Sequence, residues 1–217
     1  MPLLMEIPPL LRPAETVQMQ TLAQQTSDQS FEPTPPKTEP TVNTIIDDQL
    51  KQKIRTHEGA VPYPYKDSRG YWTIGIGHLL NPENPTVLPK KYQQYAQNQD
   101  ANFKNNNTTP ALSPEQIESL FAKDYEKHRK EASKFLEFNQ LGPSGQAAIT
   151  DLVFNMGAGK LSGFKKMFEG IRKGDTAQVE RELKNSNYWK QVQDSRKNWV
   201  LENLKQGVFE NLIRKFK

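Results

Sequence analysis

The sequence predicts an α+β protein in which one short β-hairpin is set among helices. Three observations carry that prediction. Turn chemistry at Asp67-Ser68-Arg69-Gly70 separates two runs of strand-forming residues. Ser113, Pro114 and Gln116 form a complete helix-start signal of cap, first-turn proline and third-position glutamine. Ile149, Leu152, Val153 and Met156 recur at the spacing of one helical face, and Gly157 and Gly159 stop the pattern.

The elements follow in order. Residues 1–45 hold eight of the 16 prolines and none of the 12 glycines, with Gln and Thr in abundance. They are expected to form a disordered Pro/Gln/Thr-rich extension, leaving residues 46–217 as the folded domain. Residues 47–58 carry Leu50 and Ile54 four apart and read as a helix ending at Glu58. Strands at residues 63–66 and 71–76 flank the turn, with Trp72, Ile74 and Ile76 on the inward face. The other face holds Tyr71, Thr73 and Gly75, and with Gly77 beyond it is bare enough to let another group approach the backbone. Residues 81–112 are rich in Pro, Asn and Gln and read as a loose rim segment.

A long helix is expected over residues 114–138, with Ile117, Leu120, Phe121, Asp124, Tyr125 and His128 along one stripe. Asp124 lies on the apolar side and so needs a partner, for which His78 is a candidate. The helix through Met156 is a core helix, and Asp175 is expected to cap another that runs through Asn185.

Glu58 and Asp67 are the candidate chemistry. Cleaving an acetal needs one carboxyl that delivers a proton and one ionised carboxylate that activates water or stabilises a cation-like centre. A carboxyl at the inner end of a helix among apolar neighbours loses solvation, whereas one at a polar turn stays wet. Thr73 adds a hydroxyl able to hold a water. Taken alone, such acids are more often a helix-surface residue and a turn starter, and Thr73 an ordinary strand residue.

The register around these residues is what sharpens the reading. Asp67 stands nine positions after Glu58, Thr73 six after Asp67, and Gly75-Ile76-Gly77-His78 follows. In residues and spacing this segment resembles the phage-type lysozymes, the endolysin-like muramidases of glycoside hydrolase family 24. Residues 147–164, through Phe154-Asn155-Met156-Gly157, are similar to that family's C-terminal core helix and the turn after it.

The resemblance covers residues 46 to about 200 and implies a lysozyme-like two-lobed fold. A small β-hairpin lobe would be joined by the long helix to a helical C-terminal lobe. It implies Glu58 as general acid, Asp67 as the second carboxylate and Thr73 as water holder. It further implies Leu79, Phe154 and Asn155 at the substrate, and a structural pair of His78 with Asp124. The family's Asn-Arg pair is met here by Asp194-Ser195-Arg196, offset by one, which makes Arg196 the candidate partner of Glu58. The implied substrate is the β-1,4 bond between N-acetylmuramic acid and N-acetylglucosamine in bacterial peptidoglycan. No cofactor is implied, and the three histidines show no metal-ligand spacing.

Charge and composition bound the partners. Residues 1–45 carry two cations against five acids, so the remainder of this +4 chain bears a net charge of +7. Such a surface suits the anionic groups of a cell wall; no basic-aromatic strand or recognition-helix pattern points to nucleic acid. No stretch reaches the roughly 20 apolar residues of a membrane span, and residues 1–10 lack the basic start of a signal peptide. The expected life of the enzyme is therefore synthesis in a bacterial host cytoplasm, then release through a pore or delivery by a virion. Residues 1–45 are a candidate docking segment for a phage structural protein, and the catalytic domain is expected to be monomeric. Two rival readings are a lytic transglycosylase and a lysozyme-fold module that binds wall without cleaving it.

Overall fold

The computed structural model describes residues 41–67, 69–95, 103 and 111–215, so the expected disorder of residues 1–40 lies outside the described residues. The first helix, α1 (Val42–Glu58), takes in residues 42–45 of the segment expected to be disordered. Its cap explains the difference. The Thr41 hydroxyl accepts from the Thr44 amide, and the Ile45 amide donates to the Thr41 carbonyl at 3.0 Å. Leu50 and Ile54 are completely buried and fix the face that α1 presents to the core, each contributing about 2 kcal/mol through burial.

Gly59, at φ 70°, turns the chain out of α1 into a three-stranded antiparallel sheet of β1 (Val61–Lys66), β2 (Trp72–Gly75) and β3 (His78–Leu79). Tyr65 pairs with Thr73, and Thr73 with Leu79 on the other side. The ladder between β1 and β2 is interrupted between Val61 and Tyr65, where Pro62 and Pro64 have no N–H to offer. The expected hairpin is thus the first two strands, and a third strand extends it. The expected open face of β2 is covered at Gly75, whereas Thr73, and Gly77 beyond it, face a cleft. All four residues of β2 are buried, and a helix lies over Gly75, where a Cβ would sit 3.7 Å from Leu120.

Beyond the sheet, α2 (Lys90–Gln93) follows Leu88, which joins Phe103 around Trp72. The Trp72 and Phe103 rings meet edge to face at 5.7 Å. Residues 96–102 and 104–110 of the expected loose segment lie outside the described residues.

The linking helix, α3 (Pro114–Ala132), starts at the expected capping box and buries Ile117, Phe121 and Tyr125 against α1. It stops six residues short of the expected end at 138. Phe135 and Phe138 belong to the next core rather than to the α3 stripe: Phe135 stacks on Phe168 at 5.0 Å, and Phe138 is buried in a 3-10 turn.

The C-terminal core is built on α4 (Pro143–Met156), the most apolar helix, with α5 (Ala158–Leu161), α6 (Lys165–Lys173), α7 (Thr176–Lys184), α8 (Asn187–Gln191) and α9 (Asp194–Lys215) packed around it. Asp175 caps α7 as expected, accepting from the Gln178 amide at 2.9 Å. The α4 and α9 backbones touch where Gly145 meets Gly207; a Cβ on Gly207 would fall 2.3 Å from the Gly145 Cα, so only glycine fits. That approach brings the residues farther along both helices within reach of each other.

Candidate active site

A cleft of about 800 Å³ opens between the sheet and the C-terminal helices. Glu58, Tyr65, Asp67, Thr73 and Gly77 line one side, and Phe154, Asn155, Lys160, Tyr188 and Gln191 lie among the residues opposite. Of the residues singled out in the sequence, Glu58, Asp67, Thr73, Phe154 and Asn155 are thus brought together. Leu79 is not among the lining residues; it stands half-buried in β3 beside Thr73. Phe154 also has a packing role, with its ring edge to face against Phe121 at 6.1 Å and 4.8 Å from His128.

Glu58 is the last residue of α1, so the buried Ile54 and Leu50 hold its position from about one and two turns back. Its surroundings differ from the expected apolar ones. Arg196, at the start of α9, donates from Nη1 to Glu58 Oε1 at 2.6 Å. On the other side, Gly77 at φ 71° brings its backbone against the acid, and a Cβ there would lie 3.4 Å from Oε2.

Arg196 is itself anchored. It is 4% exposed, and its Nε and Nη2 donate to the two oxygens of Asp151 at 3.1 and 3.0 Å. Burial opposes its charge, yet Asp151 and then Glu58 hold the guanidinium above its ordinary value. Asp151 is completely buried on α4 and went unnoticed in the sequence. The available signal was an acid between Ile149 and Leu152, inside the apolar face of a core helix, where a charge is tolerated only with a partner.

Asp67 closes the β1–β2 turn. Its Oδ1 accepts from the Arg69 and Tyr71 amides, both at 2.9 Å, and its Oδ2 accepts from the Arg69 guanidinium at 3.1 and 3.0 Å. The carboxylate is therefore tethered by the turn rather than simply wet. Thr73 is 2% exposed at the cleft floor, and its hydroxyl donates to the Tyr71 carbonyl at 3.1 Å. Tyr65, opposite Thr73, senses both acids. Desolvation, then Glu58 and Asp67, push its hydroxyl up to about 12, so it stays a neutral donor.

Away from the cleft, His78 Nδ1 lies 2.7 Å from Asp124 Oδ2, tying β3 to α3. His57, beside Glu58, is held below its ordinary value by burial and by Arg196, and its Nε2 is buried without a partner among the described residues.

The sequence also matches known proteins. A family model described as phage lysozyme matches residues 55–206. The chain is 32% identical over 165 residues to "Probable T4-type lysozyme 2" of Dictyostelium discoideum, an alignment covering 74% of this chain and 96% of that protein. It is 29% identical over 169 residues to "Probable T4-type lysozyme 1" of the same organism, covering 73% and 95%.

Proposed function

Because the chain belongs to the phage lysozyme family, we propose that it is a peptidoglycan hydrolase, specifically a muramidase cleaving the β-1,4 bond between N-acetylmuramic acid and N-acetylglucosamine. The observation that carries the reading is the convergence of Glu58, Asp67 and Thr73 on one cleft, with the spacing noted in the sequence.

In this reading Glu58 is the general acid. Oε1 is engaged by Arg196, so Oε2, facing Gly77, is the oxygen that delivers the proton to the leaving sugar. Asp67, held in place by Arg69 and two amides, faces the cation-like centre or orients the attacking water. Thr73 and the neutral Tyr65 hydroxyl flank the position of that water. Phe154 and Asn155 contact the glycan from the opposite wall.

A phage origin is the finer part of the same proposal: action at lysis or wall penetration, reached through a pore or carried by a virion, with residues 1–45 docking a phage structural protein. The product settles the chemistry. Digestion of purified sacculi should release muropeptides with new reducing ends, identified by mass spectrometry. Anhydro-sugar products would make the protein a transglycosylase, and binding without release would make it a wall-binding module.

A further inference from the structure

Building on the acid role proposed for Glu58, we infer that Asp151 is a positioning residue for that acid, acting through Arg196 to set both where the guanidinium points and how much charge it shows. The geometry is a chain of three groups from three helices. Asp151 on α4 takes the Nε and Nη2 edge of Arg196 on α9, which leaves Nη1 to meet Glu58 at the end of α1. A guanidinium is planar, so two parallel bonds on one edge fix the direction of the nitrogen that remains.

The anchor is rigid. Asp151 and its neighbours Ile149 and Leu152 are all completely buried, and the Gly145–Gly207 contact locks α4 to α9. Nothing in the hydrolytic step requires Asp151 to touch substrate, and it does not line the cleft. Its effect is electrostatic. A lone buried cation bonded to a carboxyl favours the ionised form, which is the wrong form for a proton donor. A carboxylate behind that cation cancels much of its field while keeping the hydrogen bond.

The other charged or titratable groups near Glu58 cannot supply this cancellation. Asp67, from the turn, is already bonded to Arg69. Tyr65 from β1 and Tyr188 from α8 are held neutral by burial, and His57, next along α1, is held neutral by burial and Arg196. Lys160, across the cleft, adds positive charge.

The test separates charge from shape with two variants. Asp151→Asn keeps the shape and loses the charge, whereas Asp151→Glu keeps the charge and strains the shape. Two readouts are compared with wild type: the pH profile of kcat/KM on purified sacculi, and the titration of the Glu58 side-chain carboxyl followed by carbon NMR. In Asp151→Asn the alkaline limb and the NMR midpoint should both move to lower pH by about one unit, which is about a tenfold loss of kcat/KM above the limb. Asp151→Glu should stay near the wild-type midpoint even if less stable, including in the case that Asp151→Asn fails to fold. A wild-type midpoint in Asp151→Asn, a shifted one in Asp151→Glu, or failure of both to fold would overturn the positioning role in favour of packing. Absence of hydrolysis by the wild type, with the NMR shift present, would overturn the proposed function and leave the coupling standing.

Discussion

Adding one methyl group at Gly77 should silence the acid without dismantling the fold. Gly77 adopts φ 71°, where an L side chain costs about 1–2 kcal/mol. The new Cβ of Gly77→Ala would rest 3.4 Å from Glu58 Oε2, 3.5 Å from its carboxyl carbon and 3.6 Å from Cγ. These are ordinary contact distances, so Glu58 need not move. The methyl instead covers the oxygen opposite the one that Arg196 occupies, which is the oxygen a leaving sugar must reach.

Gly174→Ala is the matched control. Gly174 has φ 73° in the left-handed cap of α6, its Cβ would meet Leu212 at 3.5 Å, and it does not line the cleft. Both variants should lose about 1–2 kcal/mol in urea unfolding and about 2–8 °C in melting temperature. Only Gly77→Ala should lose kcat/KM per folded molecule on purified sacculi, by about 10- to 100-fold, the scale of a blocked or displaced reacting group. Equal activities in the two variants would refute the assignment of Oε2 as the proton-delivering oxygen.

Two further outcomes concern stability. Asp124→Asn should cost about 1 kcal/mol, because the His78–Asp124 pair is partly exposed and screened, while hydrolysis is spared; activity lost without stability would show the pair to be part of the chemistry. His57 is held neutral in the fold below its ordinary value of 6.5, by desolvation first and Arg196 next. The unfolded chain therefore binds its proton first, so this contribution to stability is present above pH 6.5 and is lost as pH falls through the lowered folded value. Denaturation across that window should show the slope in wild type and a shallower one in His57→Gln; identical slopes would exclude His57 as its source.

Local chemistry made much of the fold legible. The capping box at Ser113, the cap at Asp175 and the turn at Asp67 each place a side-chain oxygen against an amide two to four positions away, and such short-range bonds are written in the sequence. The face of α4 was legible for the same reason, through its spacing. Features set by distant partners were not. β3 has two residues, too few for a pattern, and exists because Thr73 and Ile74 offer it an edge. The cover over Gly75 is supplied by Leu120, 45 positions later in the chain. The end of α3 at Ala132 depends on Phe168 being present to receive Phe135. In the site, Glu58, Asp67 and Thr73 could be selected by register, and Arg196 by an offset motif. Asp151 could not be connected to them, because the contact of α4 with α9 is tertiary.

In the proposed function Glu58 supplies the proton for glycan cleavage. Glu58→Gln keeps an oxygen to accept from Arg196 and should fold with a nearly unchanged melting temperature. The direct measurement is the rate at which wild type and Glu58→Gln release reducing ends from purified sacculi. A fall of about 10²-fold or more in the variant is the predicted result; a variant that is folded and retains the wild-type rate would contradict it.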